Sequence, residues 1–152
     1  MKENGFKYVD FCFPSGTMWA TCNVGADKPE DPGLLFQFGR VAGYKYGDKN
    51  QFINKQTTTS DKIYKRNDIL ELEDDAAYVH MGGKWRMPTK CQLKELLDNT
   101  VYNVETINGV KGVLFISNIN DSFSICLYLS LDIGVMVNII ATSLTVLYGL
   151  LR

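Results

Sequence analysis

The sequence predicts an α+β domain with an N-terminal hairpin, two helices and a mixed antiparallel sheet, and three stretches predict it. Residues 6–13 place aromatic and β-branched side chains in loose alternation (Phe6, Tyr8, Val9, Phe11, Phe13), which is a strand pattern. Residues 82–97 compress a glycine turn, a proline break and an amphipathic helix start into one run. After the turn dipeptide Asn108-Gly109, Val113–Ser117 reads as a further strand.

Taken in order, Pro14-Ser15-Gly16 is turn chemistry, and Thr17–Val24 is expected to return as the second strand of the hairpin. Residues 29–33, Pro-Glu-Asp-Pro-Gly, form a loop, and Leu34–Phe38 is a short apolar run ending at Gly39. From Val41 to about Asn67 the chain is polar, with Gly43, Gly47 and Thr57-Thr58-Thr59, and is expected as a long surface loop. Ile69–His80 reads as a helix whose acidic start (Glu71, Glu73, Asp74, Asp75) suits the helix dipole. Gly82 or Gly83 closes it. Lys84–Met87 is expected to be extended, because the residue before a proline avoids the helical region. Pro88 stops any helix from upstream. Thr89 is then an N-cap, with Gln92 completing a capping box for a helix over about 90–98. Leu93, Leu96 and Leu97 give that helix one apolar face. Asn120-Asp121 is a further turn.

The gross numbers exclude more than they assign. At 152 residues the chain suits one domain with a real core. Net charge is −1, 45% of residues are hydrophobic and 22% charged, so there is neither the basic face expected of a nucleic-acid binder nor a polybasic membrane anchor. None of Cys12, Cys22, Cys91 and Cys126 forms a Cys-x-x-Cys pair, and no metal or cofactor site is expected. Cys12 and Cys22 have the option of pairing; free buried thiols are the alternative. The first residues lack the apolar run of a signal peptide, so an intracellular protein or an internal fragment is expected.

Individual side chains read mainly as structural. Trp19 and Trp85 lie in strand-like apolar segments and are expected in the core, with stacking on a sugar as the alternative. Tyr44 and Tyr46, flanking Lys45 in the polar loop, are the weak ligand-binding candidates. His80, at a helix end, is expected to partner the C-terminal dipole. The acidic cluster lacks calcium-loop spacing and is expected to be a solvated helix start. Arg86 is expected to pair with Asp10 or Asp75. A single histidine leaves no Ser-His-Asp set to propose.

Several blocks together resemble the Fibrobacter succinogenes major paralogous domain family. Tyr8-Val9-Asp10 followed by Pro14-Ser15-Gly16-Thr17-Met18-Trp19-Ala20-Thr21-Cys22-Asn23-Val24-Gly25-Ala26 is similar to its opening signature. Pro29-Glu30, Gly33, Phe36 and Phe38-Gly39 resemble its next block. Asp75-Ala76-Ala77 and Gly82-Gly83-Lys84-Trp85-Arg86-Met87-Pro88-Thr89 resemble its central block, and Asn108-Gly109-Val110 with Gly112 the strand entry after it. The Arg86–Thr89 run also resembles the Arg-Leu-Pro-Thr element of formylglycine-generating enzymes and of variable proteins made by diversity-generating retroelements. The resemblance implies a C-type-lectin-like fold and structural roles for Trp19, Gly82, Gly83, Trp85, Arg86, Pro88 and Thr89. It also implies a bacterial cell-surface, secreted or phage-associated origin.

The resemblance covers residues 8–125 or so, which divides the chain into a family-like part, 1–124, and a divergent apolar tail, 125–152. Asp132 is the only charge from Ile125 to Leu151. By hydropathy, Ile133–Leu151 is a possible membrane tail, disfavoured by Asp132 and Asn138; two or three buried strands are another reading. A frameshift is the preferred one. One frame over, from a shift near Ser124–Cys126, codons for Cys126–Ile133 permit the family's Phe-Leu-Pro-Val-Ala-Gly, those for Asp132–Gly134 permit Tyr-Arg after it, and those for Val146–Leu151 permit its terminal Ser-Val-Arg-Pro-Val. The expected function is therefore a non-catalytic binding or adhesion module for an unidentified glycan or protein ligand. The alternatives are a formylglycine-generating relative without the late cysteine pair that such enzymes use to bind copper, or a membrane-tethered protein. Cys126 is the only late cysteine here.

Overall fold

The structure, a computed structural model, describes residues 1–36, 38–45, 64, 69–118 and 124–130. The fold is α+β, with short helices and small antiparallel sheets. Three strands open the chain: β1 (Lys2–Glu3), β2 (Phe6–Asp10) and β3 (Met18–Ala20), in the order β1-β2-β3. Asn4-Gly5 joins the first two, with φ of 48° and 87°. Two successive positive φ values make the tight hairpin turn that Asn-Gly favours. Tyr8, Val9 and Asp10 pair with Ala20, Trp19 and Met18.

The hairpin strands are shorter than residues 6–13 and 17–24 suggest. β2 ends at Asp10 because its carboxylate accepts the Cys12 amide at 2.7 Å, while Cys12 itself is left-handed at φ 58°. That kink lets Phe11 and Phe13 both face inward, stacked with ring centroids 4.9 Å apart. A regular strand also puts residues i and i+2 on one face, but here the pair leaves the ladder to enter the core.

Leu34–Leu35 (β4) pairs with Tyr44–Lys45 (β5), so the expected surface loop begins with a short strand. The expected helix over Ile69–His80 is broken in two. Leu72–Asp74 is a 3-10 turn and Ala76–Met81 is a helix, α1. Asp75 divides them, taking an extended backbone (φ −91°, ψ 109°) to become the N-cap of α1. Gly82 closes α1 at φ 68°. Residues 84–88 belong to no ladder.

Helix α2 (Lys90–Asp98) carries the expected capping box, with the Thr89 hydroxyl accepting the Gln92 amide and the Gln92 side chain accepting the Thr89 amide. Its Leu96 is 1% exposed, and Leu93 and Leu97 flank it. The helix also grips the hairpin turn. Glu95 accepts the Ser15 amide at 3.1 Å and the Ser15 hydroxyl, and Gln92 donates to the Thr17 hydroxyl.

A second three-stranded antiparallel sheet follows in the order β6 (Thr100–Ile107), β7 (Val110–Ser117), β8 (Ser124–Ser130). β6 is not among the expected elements, although Asn108-Gly109 joins it to β7 with the same positive-φ pair as Asn4-Gly5. The core gathers Phe11, Phe13 and Trp19 from the N-terminal segment, Leu96 from α2, and Val113 and Phe115 from β7. Thus α2 sits between hairpin and second sheet.

The apolar tail starts as strand, β8 pairing with β7 through Val113↔Leu129 and Phe115↔Ile125 across an irregularity. Residues 131–152, the Asn120-Asp121 turn, Tyr46 and most of the polar loop lie outside the described residues. Among the described residues, no helix is long and apolar enough to cross a membrane.

Candidate functional site

The junction between α1 and α2 concentrates the buried polar contacts, and Asp75 is its centre. Asp75 is 2% exposed. Its Oδ1 accepts the Tyr78 amide at 3.0 Å and the Met87 amide at 3.1 Å, and Oδ2 accepts the same Met87 amide at 2.9 Å. One carboxylate therefore caps α1 and fixes the segment entering Pro88, satisfying two amides that no helix or ladder supplies with partners. Asp74, 5% exposed, accepts the Tyr64 hydroxyl at 2.6 Å. The expected solvated helix start is thus corrected: Glu71 and Glu73 are exposed, whereas Asp74 and Asp75 are buried acceptors. The bond to Asp74, chiefly, raises the Tyr64 pKa above its ordinary value.

A second set of contacts comes from the N-terminal turn. Asn4 Nδ2 donates to the Met81 carbonyl, Glu3 Oε1 accepts the Lys84 amide at 3.2 Å, and the Glu3 carbonyl accepts the Trp85 indole N–H at 3.0 Å. Gly82 and Gly83, at φ 68° and 57°, are packed against these groups. A Cβ on Gly82 would lie 2.7 Å from Asn4 Nδ2, and one on Gly83 would lie 2.7 Å from Glu3 Oε1. The positive φ favours glycine here, and a Cβ would push the Asn4 and Glu3 side-chain tips out of their bonds.

Three expectations for this region change. Trp85 is half-buried, not core, because its indole crosses the N-terminal turn to reach the Glu3 carbonyl. Trp19 is core as expected, 8% exposed, and its indole N–H has no hydrogen-bond partner among the described residues. Arg86 pairs with neither Asp10 nor Asp75. Those carboxylates already hold the Cys12, Tyr78 and Met87 amides, and the exposed guanidinium instead lies 4.5 Å from the Tyr78 ring centroid and donates to the Gly83 and Trp85 carbonyls. Pro88 and Thr89 are half-buried, where expected, at the start of α2.

His80 occupies the last turn of α1, as expected, and adds an unforeseen contact: Nε2 lies 2.9 Å from the Val41 carbonyl. A carbonyl only accepts, so Nε2 carries the proton. Its ring tilts against Phe36 with centroids 5.1 Å apart. Tyr44, one of the two ligand candidates, is half-buried in β5 opposite Leu35, so it contributes to a ladder and not to an open loop. Cys12 and Cys22 are both free. Cys12 is exposed, because Phe11 and Phe13 on either side take the interior.

A hollow beside the junction, lined by residues including Phe36, Phe38, Arg40, Leu70, Asp74 and Met87, is too small to hold a water molecule. Among the described residues, no group of three or more His, Cys, Asp or Glu side chains is placed to hold a metal ion. No family model, curated protein or solved structure matches the chain. The contacts just described are those of a scaffold joint: Asn4, Glu3, Asp75 and Arg86 all act on backbone, while Asp74 meets the Tyr64 hydroxyl. The sequence did carry a signal for the missing N-terminal contacts: Asn4-Gly5 is a hairpin dipeptide, which foretells the turn though not what the turn touches.

Proposed function

We propose that the chain is a non-catalytic binding module on a C-type-lectin-like scaffold, related to the Fibrobacter succinogenes major paralogous domain family and of cell-surface, secreted or phage-associated origin. The observation that carries the reading is the junction at Asp75. The residues most specific to the family resemblance, Asp75, Gly82, Gly83 and Arg86–Thr89, turn and cap the backbone between two helices. Residues spent in this way build a scaffold and leave recognition to later strands and loops. In the resemblance, those are the parts that follow residue 125.

The divergent tail is proposed to be that recognition part read out of frame. Sequencing the gene across codons 120–152 tests this directly: the shifted frame should read through the family's Gly-Tyr-Arg and Ser-Val-Arg-Pro-Val. Stops or unrelated residues there would end the proposal. The frame-restored protein should then bind a glycan array or bacterial surfaces while the present chain does not. Equal behaviour of the two chains would count against a recognition role for the tail.

A further inference from the structure

We propose that the N-terminal turn, residues 2–5, is a strap that opens and closes together with the Gly82–Trp85 loop and controls the exposure of Trp85. The strap is weakly held by its own strand. β1 is two residues long and pairs only Lys2 with Lys7 and Glu3 with Phe6. Beyond those pairs one backbone bond ties this edge strand to β2, the Tyr8 amide to the Met1 carbonyl at 3.1 Å, and so short an edge ladder adds little stability.

What holds the strap is the loop. Asn4 reaches the Met81 carbonyl, the Glu3 carboxylate takes the Lys84 amide, and the Glu3 carbonyl takes the Trp85 indole N–H. The dependence runs both ways. Within the loop, one local backbone bond is seen, the Trp85 amide to the Gly82 carbonyl at 3.2 Å, and the exposed Arg86 guanidinium adds bonds to the Gly83 and Trp85 carbonyls. The fit is steric as well as polar, since a Cβ on either glycine would displace the side-chain tip of Asn4 or Glu3 that makes these bonds.

Segments that draw their order from each other form one cooperative opening unit, with a free energy below that of the whole domain. The rest of the joint is independent of the strap. Asp75 holds Met87, and the capping box holds α2, without any group from residues 2–5. Opening would therefore free the Trp85 indole while leaving Pro88 and α2 in place. An aromatic ring would then be presented beside the exposed Arg86 guanidinium.

Hydrogen exchange on the whole chain tests this, with two variants that cut the contact from opposite sides. Asn4→Gly removes the side-chain donor but keeps a residue that tolerates φ of 48°. It should raise exchange at Lys84 and Trp85 by about two- to tenfold, the effect of losing one hydrogen bond. Gly83→Ala should raise exchange in residues 2–7 although it alters none of them. In both variants, acrylamide should quench Trp85 more while Trp19 stays protected, and amides of α2 and β7 should be unchanged. If Gly83→Ala leaves residues 2–7 unaffected, or if either variant accelerates α2 equally, the strap and the loop are not a separate unit and the proposal is wrong.

Discussion

The Asp75 carboxylate accepts the Met87 amide on both of its oxygens, at 3.1 and 2.9 Å, across a separation of twelve residues. With the Tyr78 amide on the same Oδ1, a single side chain ties the start of one helix to the approach of the next. Asp75→Ala would leave two partly buried amides without acceptors and remove a helix cap. The expected loss is about 3 kcal/mol of unfolding free energy. Asp75→Asn keeps one oxygen and should lose roughly half of that. Guanidinium denaturation of the three proteins checks the order, and an alanine variant as stable as the parent would show the bonds to be dispensable.

Thr89→Ala is expected to cost about 1 kcal/mol, the ordinary value of an N-cap. Gln92→Ala should cost at least as much, because Gln92 also donates to Thr17 in the hairpin turn. The double variant should lose less than the sum of the two, since each side chain holds the other in place. Thermal melts followed at a helix band would measure the coupling; strict additivity would mean that the box does not act as a unit.

Two glycines with similar φ should respond differently to alanine. Gly16 sits at φ 71° with no atom within 4 Å of a Cβ position, so Gly16→Ala should cost only the left-handed strain of about 1 kcal/mol. Gly33 sits at φ 67°, and there a Cβ would lie 2.5 Å from the Val24 carbonyl oxygen. That oxygen also accepts the Leu34 amide at 2.8 Å and cannot simply move away. Gly33→Ala should cost about 3 kcal/mol. Equal losses would mean that the chain around Val24 relaxes freely.

Tyr64 is expected to titrate above the usual tyrosine value of about 10, because its hydroxyl donates to the Asp74 carboxylate. A folded pKa above the unfolded one gives a stabilising contribution that is fully present below the unfolded value. It is lost as pH rises through the folded value. Phenolate absorbance compared between the parent and Tyr64→Phe isolates this group. A Tyr64 that ionises at the usual tyrosine value would refute the bond. Glu30 shifts the other way, lowered first by backbone hydrogen bonding and then by the Asn108 side chain. Its contribution is therefore present above the unfolded carboxylate value and lost as pH falls through the folded one, and Glu30→Gln should flatten that acid limb.

Local elements were legible where a few neighbouring residues decide them. Thr89 and Gln92 announce a capping box three residues apart, Leu93, Leu96 and Leu97 announce a buried face, and Asn108-Gly109 announces a turn. The same logic reaches only part of the way elsewhere. The sequence 69–80 has helical character throughout, yet Asp75 interrupts it to serve as a cap, and nothing in the local pattern distinguishes that use from one more residue of an acidic first turn. β6 was hidden because its residues are mostly exposed and their alternation is weak.

The sequence by itself determined the α+β class, the turn at Asn108-Gly109, a stop at Gly82 or Gly83 and the start at Thr89, because each depends on backbone preferences within one or two turns of chain. It also determined that Trp19 lies within an apolar strand. Only the tertiary structure decided what the polar groups do. Glu3 meets Trp85, Ser15 meets Glu95 and Asp75 meets Met87 because packing brings distant segments together, and the carboxylates so used are lost to Arg86. A carboxylate in a sequence carries no address. Burial decides its partner, since a desolvated acceptor must take whichever amide the fold leaves unpaired.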